Sequence, residues 1–177
     1  MIALLLALQA AGQIRIDGAR SLTNSDRVIG QGILFRCDFP LNGKAVAWQT
    51  ALDGEVTGVG KGPLTPAPSD TRIAAFKSYR GSVSYDEKLP QDRRPLFLSM
   101  NSRQTIDGTA YEGELAFTYD QDGNAINRIT RAARVRDAKI TFFKARDIVS
   151  SNGLRFPKKG ASPVATTACT ASDRNPQ

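Results

Sequence analysis

The sequence predicts a mainly β domain, an antiparallel β-sandwich or a jelly-roll-like arrangement, followed by a low-complexity C-terminal tail. Three observations carry that expectation. Runs rich in Val, Ile, Phe, Tyr and Thr alternate apolar with polar residues, the period of a strand with one buried face. Gly and Pro, 15 and 9 of them, fall at short intervals and leave little room for long helices. A hydrophobic share of 41% in 177 residues suffices for one core, so a single domain is expected.

Residues 1–12 are almost wholly apolar and end in small residues, the pattern of a short secretory signal peptide. They are too few to span a bilayer, and no other stretch reads as a transmembrane segment. The β domain is expected over residues 13–156. It opens with a short strand at Gln13–Asp17 and a polar stretch, Ala19–Ile29, with a turn or one helical turn at Asn24-Ser25-Asp26. From Gln31 to Phe39 the residues Ile33, Phe35, Cys37 and Phe39 share one face, and Pro40, which cannot donate to a ladder, is expected to end the strand. Asn42-Gly43 predicts a tight hairpin into Lys44–Thr50, where Val46 and Trp48 alternate.

Asp53-Gly54 is expected to turn the chain again, ahead of a short strand at Glu55–Val59. The Gly- and Pro-rich residues Gly58–Asp70 predict an exposed loop. Extended chain resumes over Ile73–Tyr85, and Leu96–Met100 forms a further strand.

The densest patterning lies between Thr109 and Arg146. Leu115, Phe117 and Tyr119 alternate with Glu114, Ala116 and Thr118, and Asp122-Gly123 reads as the reversal of a hairpin. Buried pattern dominates register, so Phe117 is expected opposite Ile129 and Tyr111 opposite Val135. Glu112 then falls opposite Arg134 on the wet face. Residues 157–177 are Lys, Gly, Ala, Ser, Thr and Pro for the most part, which predicts a flexible tail, tethered if Cys169 pairs with Cys37. Those two cysteines are the disulfide candidates and agree with an oxidising compartment, periplasmic or secreted.

The chain has no histidine, which removes the Ser-His-Asp and Cys-His pairs and the His-containing zinc sites. Two cysteines cannot build a Cys-rich zinc site. Gly54–Pro63 imitates a phosphate loop, but Gly62 stands where the magnesium-binding hydroxyl belongs and Pro63 where a helix should continue. Asp120-Gln-Asp122-Gly123 imitates a calcium loop, yet Thr118 and Ile129 occupy the outer ligand positions. A turn held by side-chain-to-backbone hydrogen bonds is expected there instead. Hence neither a metal nor a cofactor is expected.

The net charge of +7 points to an anionic partner, and Arg128, Arg134 and Arg136 share a face if this stretch is one strand. They are the candidate anion-binding residues, for an anionic envelope surface or an acidic polysaccharide. Single-stranded nucleic acid is disfavoured because no aromatic residues interleave with them. The leading expectation is therefore an exported, non-catalytic binding or structural module of the cell envelope. The rival is a histidine-free enzyme acting on polysaccharide through Glu112 and Glu114, which strand rise sets about 7 Å apart, within the range of inverting carboxylate pairs. A third reading is a β-barrel carrying a small ligand, lined by Trp48.

Overall fold

Two Gly-containing reversals build the longest hairpins among the described residues. Asn42-Gly43 has φ of 51° and 77°, and Asp107-Gly108 has 48° and 76°; paired positive φ values are what a two-residue turn between right-twisted strands requires. The computed structural model describes residues 19–22, 26–57, 60–61, 73–74, 76–84, 88–151 and 154–174. The expected signal peptide, the strand at 13–17 and most of the 58–70 loop lie outside them, as do most side chains of the phosphate-loop look-alike.

The described strands, in chain order, are β1 (Ala19–Ser21), β2 (Arg27–Leu41), β3 (Lys44–Thr57), β4 (Gly60–Lys61), β5 (Ile73–Ala74), β6 (Phe76–Ser84) and β7 (Leu96–Ile106). They continue with β8 (Thr109–Tyr119), β9 (Arg128–Ile129), β10 (Val135–Lys144), β11 (Ile148–Ser151), β12 (Leu154–Pro157), β13 (Ala165–Ala168) and β14 (Thr170–Asp173). Among the described residues, one sheet runs β1-β6-β7-β8-β10-β13 with β4 beside β6, and a second runs β14-β2-β3-β5 with β9 beside β2. Strands β11 and β12, among the described residues, pair only with each other. Pairing among the described residues is antiparallel apart from two short parallel contacts, β2–β9 and β3–β5.

The two large sheets pack face to face. Phe35 meets Phe117 at 4.8 Å between ring centroids, Phe39 stacks on Phe142 at 4.7 Å, and Trp48 stands edge-on to Phe142 at 5.8 Å. Each contact joins one sheet to the other. As expected, Ile33, Phe35, Cys37 and Phe39 are buried on one face of β2, while Arg36 and Asp38 are exposed on the other.

Several expectations are corrected. Pro40 does not end β2, which continues to Leu41 with Pro40 opposite Ala45. Pairing with β14 stops at Arg36, so among the described residues no strand on that flank of β2 needs a donor from Pro40. Asp53-Gly54 is no turn but lies inside β3. Opposite it, β2 bulges between Gly30 and Ile33, with Gly32 at φ 69°, and the Gly32 amide donates to the Asp53 carboxylate. The carboxylate that would have favoured a turn instead satisfies the bulge.

The predicted pairing of Phe117 with Ile129 is not formed either. Phe117 lies opposite Leu98 of β7, and β8 pairs on its other side with β10, where Tyr119 meets Val135 and Glu112 meets Phe143. Residues 120–134 leave the sheet. Gln121 donates to the carbonyl of Arg94 at 2.6 Å and accepts from the amide of Asn127, which draws the chain aside. Ile129 then reaches the core through β9, beside β2 in the opposite sheet.

The segment read as a tail also departs from its composition. Residues 165–168 pair with β10 and residues 170–173 pair with β2, so one extended run crosses from sheet to sheet. Cys169 is the joint between them and is disulfide-bonded to Cys37, 132 residues away, with Cα atoms 4.4 Å apart. In the chain-entropy account, closing so long a loop disfavours the unfolded state by about 5 kcal/mol. Small side chains suffice here because backbone ladders and the disulfide hold the segment.

Candidate functional site

The three candidate arginines do not share one strand face. Arg128 opens β9, Arg134 closes a 3-10 turn at Ala132–Arg134, and Arg136 lies in β10. They nevertheless come from one stretch, residues 128–136, that leads into β10 and is fastened at several points. The amide of Thr130 donates to the Tyr119 hydroxyl at 3.2 Å, and the amide of Ala132 donates to Asp173 at 2.8 Å. The amide of Arg134 returns to the carbonyl of Arg131 at 3.1 Å.

The counter-ions of Arg136 and Arg134 are Asp120 and Asp122, not the glutamates suggested by strand parity. Arg136 grips Asp120 with two parallel hydrogen bonds, Nε to Oδ2 at 2.5 Å and Nη2 to Oδ1 at 2.7 Å, and lies 3.8 Å from Asp137. The bond to Asp120 raises the affinity of Arg136 for its proton. Arg131 and Arg134 stand 3.9 and 4.0 Å from the Asp122 carboxylate. That carboxyl is held below its ordinary range, first by the amide of Asn124 and further by Arg134 and Arg131. The Asp122–Asn124 bond, 3.1 Å, is the expected side-chain-to-backbone turn. Arg128 is exposed and makes no ion pair among the described residues.

Glu112 and Glu114 were expected on a wet face, and that is corrected. They are 1% and 5% exposed. They project from the side of β8 opposite the core, but this side is also covered. Arg155 of β12 binds both oxygens of Glu112, Nη2 to Oε2 at 2.7 Å and Nε to Oε1. Glu114 accepts from the Ser99 hydroxyl on the neighbouring strand. The pair across one strand face therefore consists of one carboxylate neutralised by a guanidinium and another engaged by a hydroxyl, not two groups flanking an open cleft. A general acid and base need access to substrate or water, which burial denies to Glu112.

Trp48 faces the interior between the sheets and packs on Phe142, so it is a core residue. Its Nε1, like the Ser102 hydroxyl, is buried with no hydrogen-bond partner.

Sequence reasoning missed Arg155, Asp120 and Asp173. Arg155 stands beside Pro157 in the stretch where composition turns polar, and only its sheet partner places it over Glu112. For Asp120 the signal was present: an acidic residue directly follows the last apolar position of β8, within reach of the arginines that return beside it.

The fold thus defines a disulfide-stapled, mainly antiparallel β protein of two facing sheets, with an ion-paired arginine connection. Comparison with protein-family models, with curated proteins and with solved structures finds no match to this chain.

Proposed function

We propose that this protein is an exported, non-catalytic binding or structural module of the cell envelope that contacts an anionic partner through the connection carrying Arg128, Arg134 and Arg136. The observation behind this reading is the display of guanidinium groups from a fastened connection. Arg131 and Arg136 side chains remain 62% and 51% exposed despite their ion pairs, and Arg128 has no counter-ion among the described residues. A guanidinium that spends two N–H groups on one carboxylate keeps others for a second anion. The chain's excess of seven positive charges favours approach of such a partner. A periplasmic or secreted location is supported by the disulfide, which persists in oxidising compartments. No helix among the described residues is long and apolar enough to cross a membrane.

The test is retention on immobilised heparin and on lipopolysaccharide as a function of salt. Arg128→Glu breaks no ion pair, so it should weaken retention while leaving thermal stability unchanged. Arg134→Glu with Arg136→Glu should weaken it further, and wild-type retention should fall as salt rises. Retention equal to wild type in all three substitutions would refute the reading.

A further inference from the structure

Strands β13 and β14 are held differently from every strand they touch. Neither contributes a buried side chain: Ala165, Thr167, Cys169 and Ala171 are half-buried, and the residues between them are exposed. Their hold consists of backbone pairing to β10 and to β2, hydroxyl bonds from Thr167, Thr170 and Ser172 to carbonyls of β2, partial packing of the small side chains Ala165, Cys169 and Ala171 on the core, polar bonds at the ends, and the disulfide. The end bonds are Val164 N–H to the carbonyl of Phe142 at 2.8 Å, Arg174 to Asp53 at 2.9 Å, and the Asp173–Ala132 bond. Backbone ladders with little apolar burial are the kind of structure that opens at low free energy. The disulfide is the one covalent tie on this strap.

The sulfur chemistry is asymmetric. Cys37 is fully buried under the strap, whereas Cys169 is half-buried. Removing the strap would uncover two adjacent strand edges at once, one on each sheet, over Phe35 and Ile140 of the core. Unpaired edges accept another strand, and the segment that fits these two in register is this same segment.

We propose that residues 164–174 are a reductively releasable strap, and that the joint edge of β10 and β2 is a strand-acceptor surface whose partner after release is the strap of a second copy of this chain. The reductant is a dithiol. One of its thiolates attacks Sγ of Cys169, the Cys37–Cys169 bond breaks, and Cys37 leaves as a thiolate. The second thiolate attacks the mixed disulfide and frees Cys169. The dithiol ends as a disulfide, and the protein gains two electrons and two protons as two thiols. Reoxidation after exchange by a small-molecule disulfide, which takes up the two electrons and two protons and ends as two thiols, would join Cys37 of one copy to Cys169 of the other.

The experiment uses the full chain, reduced with dithiothreitol under native conditions and checked for complete reduction by intact mass. Hydrogen exchange should then accelerate about tenfold or more at the edge amides of residues 33–36 and 139–142, while β7 and β8 keep their protection. Reoxidation at rising protein concentration should give a rising fraction of disulfide-linked dimer on non-reducing gels. A synthetic peptide of residues 161–174 with Cys169→Ser should suppress that dimer. Unchanged protection at both edges in fully reduced protein would overturn the proposal. So would simultaneous loss of protection in all strands, which would make the bridge a global staple, or reoxidation to monomer alone at every concentration.

Discussion

The Arg155 guanidinium engages both oxygens of the Glu112 carboxylate, at a place where Glu112 is 1% exposed. The pair fastens the β11–β12 hairpin onto the seven-stranded sheet. It also raises the affinity of Arg155 for its proton, chiefly through its hydrogen bonds to Glu112.

Removing one partner should cost more than removing both. Arg155→Ala leaves a buried carboxylate without its counter-charge and should destabilise the protein by about 3–5 kcal/mol. Arg155→Leu combined with Glu112→Gln should recover most of that loss, because no bare charge remains buried. Urea unfolding of the wild type, the single variant and the double variant measures both. A loss below about 1 kcal/mol for Arg155→Ala, the range of an exposed pair, would mean that the hairpin lifts and lets water reach Glu112.

Gly30 is predicted to be intolerant of any side chain. A Cβ there would sit 2.4 Å from Cγ of Leu52, the branch point of a buried side chain that has nowhere to swing. Gly30→Ala should cost about 1–3 kcal/mol by overpacking, and Leu52→Ala in the same chain should cost less than it does alone. Thermal unfolding of the double-mutant cycle reads the coupling.

The arginine connection should show an acid-sensitive component. The Asp122 carboxyl has its proton affinity lowered from an ordinary value of 3.8 in the folded protein. A depressed carboxyl contributes stability that is complete above its unfolded value and is lost as pH falls through its folded value. Wild type should therefore exceed Asp122→Asn in stability at neutral pH, and the two should converge below 3.8. Melting temperatures followed from neutral to acid pH test this; a gap that widens on acidification would reverse the assigned sign.

The disulfide is tested by mass. Intact-mass measurement of protein purified from its native compartment, before and after reduction and alkylation, should show Cys37 and Cys169 oxidised together. Two alkylatable thiols without prior reduction would show that the bridge does not form there. Cys169→Ser should lower stability by up to about 5 kcal/mol if the effect lies in the unfolded chain.

Local physics made part of this molecule legible from its residues. The two-residue period of Ile33, Phe35, Cys37 and Phe39 declared a buried face, and Asn42-Gly43 declared a hairpin, because both signals reside within a few bonds of the residues that carry them. The same reasoning misplaced Asp53-Gly54 and Asp122-Gly123, since a turn-forming dipeptide also suits a strand beside a bulge or a wider loop. The candidate arginines were found by charge alone, but their arrangement was not.

The alternation of apolar residues and the glycine-containing turns determined by themselves that this chain forms antiparallel strands with one buried side. Partner choice was decided only in three dimensions. Arg155 meets Glu112 across 43 positions, Asp173 meets Ala132 across 41, and Cys169 meets Cys37 across 132. No periodicity reports such contacts, because they depend on which sheet edges lie side by side once the core has closed. That is why two glutamates that read as solvated are buried, and why a stretch with the composition of a tail binds the two sheets together.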